Sequence, residues 1–72
     1  MDANIKVKFK QILEGKLKYT SQNLAINMLI SRMQKKLSED PGSFEACIAE
    51  IDTFAAKYPN VVKNDFANIL SL

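Results

Sequence analysis

Between Phe44 and Tyr58 the side chains Phe44, Cys47, Ile48, Ile51, Phe54, Ala55 and Tyr58 recur every three or four residues. At about 100° per residue that spacing collects them on one side of an α-helix, whereas a strand would scatter them over both faces. Glu45, Glu50, Asp52 and Thr53 fall on the far side. Pro41-Gly42 bounds the stretch on one flank and Pro59 on the other, residues that interrupt helical hydrogen bonding. A chain of 72 residues with such a stripe needs other helices to cover it.

Two further stripes answer that need. Ile26, Leu29, Ile30, Met33 and Leu37 share one face of a predicted helix over 21–38, with Thr20 or Ser21 as its N-cap. Leu24 and Met28 project from its opposite side, beside Arg32, Lys35 and Lys36. Val62, Phe66, Ile69 and Leu70 line one side of a helix over 60–71, opened by Asn60 after the stop at Pro59. The central stripe itself is expected in a helix over 41–58, with Asp40 before Pro41, or else Ser43, as its cap.

Residues 4–13 carry two signals. Ile5-Lys6-Val7-Lys8-Phe9-Lys10 alternates apolar and basic residues as a strand does. Ile5, Phe9, Ile12 and Leu13 also form a helical stripe, with Asp2 placed to cap it and Gly15 to end it. A strand here would have to pair with another chain, since no second strand is legible. A helix over 3–14 is therefore expected. The chain reads as one all-α domain over 1–72, a small bundle of three to four short helices. The helix over 21–38, the longest, is expected in the middle, with the 41–58 helix packed on it. Ile26, Leu29, Ile30, Met33, Ile48, Ile51, Phe54 and Phe66 are the expected core.

The composition excludes more chemistry than it suggests. Histidine is absent, which removes Ser–His and Cys–His pairs and imidazole metal ligands. The single cysteine, Cys47, sits in an apolar stripe and reads as a small buried hydrophobe. Glu45 and Asp52, two helical turns apart, read as a solvated acidic face. Gly15 and Gly42 form no phosphate-binding loop. Neither catalysis, a cofactor nor a metal is expected.

Charge is divided along the chain. Eight of the 10 basic residues lie in 1–36, and six of the 8 acidic residues in 37–72. The two halves are expected to attract each other within the fold. A basic face offered to an acidic partner is the sharper reading, and a small nucleic-acid-associated protein using the N-terminal half is the alternative function. Against the alternative, there is one arginine, and a helix-turn-helix would need a tight turn at Leu29, where the apolar period runs unbroken. Lys6, Lys8 and Lys10 do not share one side of a helix, so a membrane-surface helix is not expected. Met1-Asp2-Ala3 with its lysines does not read as a secretory signal, and the free cysteine suits a cytoplasmic location.

Leu24, Met28, Arg32, Lys35 and Lys36 are accordingly the expected partner-binding residues. The expected function is a non-enzymatic protein–protein interaction module: an adaptor, inhibitor or regulatory subunit. Its partner is another protein with an acidic surface, or a second copy in a homodimer.

Overall fold

The Asp2 carboxylate accepts from the backbone N–H groups of Asn4 (2.8 Å) and Ile5 (3.3 Å) and so starts a helix, α1, over Ala3–Leu13. A computed structural model describes all 72 residues. It has three further helices, α2 (Leu24–Glu39), α3 (Phe44–Lys57) and α4 (Pro59–Leu70), and no strand. The all-α bundle read from the sequence is the observed fold, and the strand pattern at residues 5–10 is overridden by the helical stripe. Ile5, Phe9, Ile12 and Leu13 are all buried. Gly15 ends the helix in the left-handed region, at φ 76°, where a Cβ would be strained.

Several boundaries differ from expectation for local reasons. The second helix starts at Leu24 rather than 21, and its cap is Asn23, not Thr20 or Ser21. Residues 21–23 are held out of the helix by side chains. Asn27 Oδ1 accepts from the Ser21 N–H at 2.7 Å, Asn27 Nδ2 donates to the Ser21 carbonyl at 2.8 Å, and Ser21 Oγ accepts from the Asn23 N–H at 2.9 Å. Beyond α2, Asp40 caps a single 3-10 turn, Pro41–Ser43, and α3 begins only at Phe44. Pro59 does not stand between two helices. It is the first residue of α4, where its missing N–H costs nothing, and Tyr58 takes the cap position expected of Asn60.

The core is one cluster of 14 buried apolar residues drawn from all four helices. Packing runs around a ring: α1 against α2 and α4, and α3 chiefly against α4. The α2–α3 contact is the lightest of these, so α2 is not the central helix. The amphipathic period specifies which face of α2 is covered without specifying which helix covers it. Ile26, Leu29, Ile30, Met33, Ile48 and Ile51 are buried as expected, whereas Phe54 and Phe66 are only half-buried, at the rim. The radius of gyration, 11.1 Å, is that of a close-packed chain of this length (about 11 Å), so α1 is docked with the rest.

The charge division is used inside the fold. Lys6 bridges Glu45 at 3.0 Å, the N-terminal ammonium bridges Asp52 at 3.1 Å, and Arg32 bridges Glu50, each joining the basic half to the acidic half. Lys8 donates to the Leu70 carbonyl at 2.6 Å, at the end of α4 where the helix dipole is negative. No helix is long and apolar enough to cross a membrane.

Candidate functional site

Leu24, Met28, Arg32 and Lys35 fall within an arc of about 80° on α2, because steps of four, eight and eleven residues nearly close whole turns. That arc faces away from Ile26, Met33 and Leu37, so docking α2 through its broad apolar face turns the narrower one outward. Leu24 is 73% exposed and Met28 66%, the two largest exposures among the large apolar side chains. α1 packs on the core and leaves this stripe open. Lys35 and Lys36 are also exposed, Lys36 turned toward the Leu29 side of the helix.

Residues of α3 complete the surface. Ala25, Met28, Leu29 and Arg32 line one wall of a shallow groove of about 240 Å³, and Phe54 lines the other. The Phe54 ring leans on that of Tyr58, with centroids 5.1 Å apart and planes 51° apart, and Tyr58 is itself 49% exposed. Arg32 reaches Glu50 across the α2–α3 junction, which fixes its guanidinium at the edge of the groove. Sequence reasoning assigned Phe54 to the core and placed Tyr58 on the same apolar stripe. The position of Phe54 at one edge of the α3 stripe, and of Tyr58 just past the helix end, was the available signal that they could serve a surface instead.

The chain offers little for covalent or metal chemistry. Cys47 is fully buried in the core, and no three His, Cys, Asp or Glu side chains gather in one place. Glu45 and Asp52 are engaged in the ion pairs already described.

No family model, curated protein or solved structure matches the chain.

A second polar constellation lies away from the groove. Asp65 of α4 is 6% exposed, and its Oδ1 accepts a hydrogen bond from the Tyr19 hydroxyl. Burial of the phenol, reinforced by this hydrogen bond and by the negative charge of Asp65, raises the Tyr19 pKa to about 12. Beside Asp65 is a hollow of about 380 Å³ between residues 21–23 and α4.

Proposed function

We propose that the protein is a non-enzymatic protein–protein interaction module, an adaptor, inhibitor or regulatory subunit, that binds through the outer face of α2. The occupant is an amphipathic partner helix with acidic residues beside its apolar stripe. The observation that carries this reading is the outward pair Leu24 and Met28, exposed on a chain whose other helical faces supply a complete core. The partner's apolar residues enter the groove between Met28 and Phe54, and methionine adapts to differently shaped side chains. Lys35 and Lys36, free of intrachain ion pairs, meet the acidic flank. A cytoplasmic location goes with this reading, supported by a lone thiol that has no disulfide partner.

The test is affinity capture from native lysate after nuclease treatment, comparing the wild type with Met28→Glu and with a Lys35→Glu, Lys36→Glu double variant. A protein held by the wild type and released by both variants, and bound again by the double variant once its own acidic residues are changed to lysine, supports the reading. Recovery that vanishes on nuclease treatment overturns it in favour of nucleic-acid association.

A further inference from the structure

The hollow between residues 21–23 and α4 differs in chemistry from the apolar groove. Its side chains are almost all hydroxyls and amides, with one carboxylate, Asp65, and no cation. None of the chain's salt bridges includes Asp65. One of its oxygens takes the Tyr19 hydroxyl, a neutral donor. The other has no donor within the chain, yet it is not sealed in: no buried side-chain oxygen is left without a partner, so this atom keeps access to solvent, in a residue that lines the hollow. A carboxylate that is 6% exposed and answered by one neutral donor lacks the compensation that buried charges ordinarily have.

The walls suit a group that supplies the missing charge. Asn60, Asn64 and Asn68 stand every fourth residue along α4, about 6 Å apart, and line the hollow together with Asp65. The opposite wall is rigid before any ligand arrives. Ser21 and Asn23 are fixed by the Asn27 amide and by the cap bond from the Ile26 N–H to Asn23 Oδ1 at 3.2 Å. A polar hollow that holds one negative charge and no cation matches a planar or tetrahedral cation with several N–H donors.

We propose that this hollow binds a cationic nitrogen group, a guanidinium or a primary ammonium, with Asp65 as its counter-ion and the α4 asparagines as further acceptors. The site is separate from the outer face of α2 and does not depend on the function proposed for that face. The group can be carried by a basic side chain of a polypeptide or by a free amine.

The experiment is a titration of the full ¹⁵N-labelled chain, followed by amide shifts at constant ionic strength. The probes are ethylguanidinium, butylammonium, an acetylated and amidated Gly-Arg-Gly peptide and its Gly-Leu-Gly counterpart. Saturable shifts at the side-chain amides of Asn60, Asn64 and Asn68 are expected with the three cationic probes and not with the leucine peptide. Tighter binding of the arginine peptide than of ethylguanidinium, by tenfold or more, identifies a polypeptide source, and equal binding a free amine. Asp65→Asn keeps an acceptor for Tyr19 and is expected to weaken binding at least tenfold. Asn64→Leu, on the exposed side of α4, checks the same point in a variant that leaves the core untouched. Shifts that grow linearly without saturating for every cationic probe, or binding unchanged in both variants, would overturn the proposal.

Discussion

Tyr19 and Asp65, 46 residues apart in the sequence, meet through a hydrogen bond from the phenol to the carboxylate. The bond ties the loop after α1 to the middle of α4, and those two helices share one of the main packing contacts of the bundle. It also places a carboxylate where solvent scarcely reaches it, at the edge of the polar hollow.

This pair predicts a loss of stability in strong base. The pKa of Tyr19 is about 12 in the folded chain against the usual 10.0, so the folded state holds the phenol proton more tightly than the unfolded state does. The contribution is fully present below pH 10 and disappears as pH rises toward 12. Thermal melts are expected to fall steadily across that window. In a Tyr58→Phe background, phenolate absorbance reports Tyr19 alone and should rise near pH 12, and Asp65→Asn should move the rise to lower pH.

Phe9 and Phe54 should separate in stability measurements. Phe9 is 1% exposed in the core, so Phe9→Ala is expected to cost about 3–5 kcal/mol, enough to unfold a domain this small. Phe54, half-buried at the groove, is expected to cost about 1–2 kcal/mol on truncation to alanine, since part of its surface is already in water. Urea unfolding monitored by circular dichroism distinguishes the two. Equal losses would contradict the placement of Phe54 at the rim.

Gly15→Ala tests the turn after α1. No atom lies within 4 Å of the position a Cβ would occupy, so sterics with neighbours contribute nothing. The cost is that of holding an L-residue at φ 76°, about 1–2 kcal/mol. Gly15→Asn should lose less, because asparagine enters the left-handed region more readily. Equilibrium denaturation of the two variants side by side is the measurement.

Met28→Glu should separate stability from binding. The side chain is 66% exposed, so the melting curve is expected to stay within about 0.5 kcal/mol of wild type. Partner capture should be lost, because the carboxylate would be buried unpaired in the contact. Light scattering over a range of concentrations checks whether a second copy uses the same face. In that case the wild-type mass rises toward two chains and the variant stays at one.

The helices were legible in the sequence because their determinants are local. The Asp2 cap, the positive φ at Gly15 and the apolar faces of α2 and α3 depend on residues within about one turn of each other. Asn23 displaced Ser21 as the α2 cap through the grip of Asn27, six residues on, just beyond that range. The stripe of Leu24, Met28, Arg32 and Lys35 was equally readable as a face, but whether anything covered it was not. An apolar period marks a surface as needing a partner without naming the partner. Only the packing of the four helices on one another decided that the Leu24 side stays open, that Phe54 sits at a rim, and that Asp65 is buried beside Tyr19. Those outcomes rest on contacts between residues far apart in the chain, which the local pattern of polar and apolar side chains does not encode.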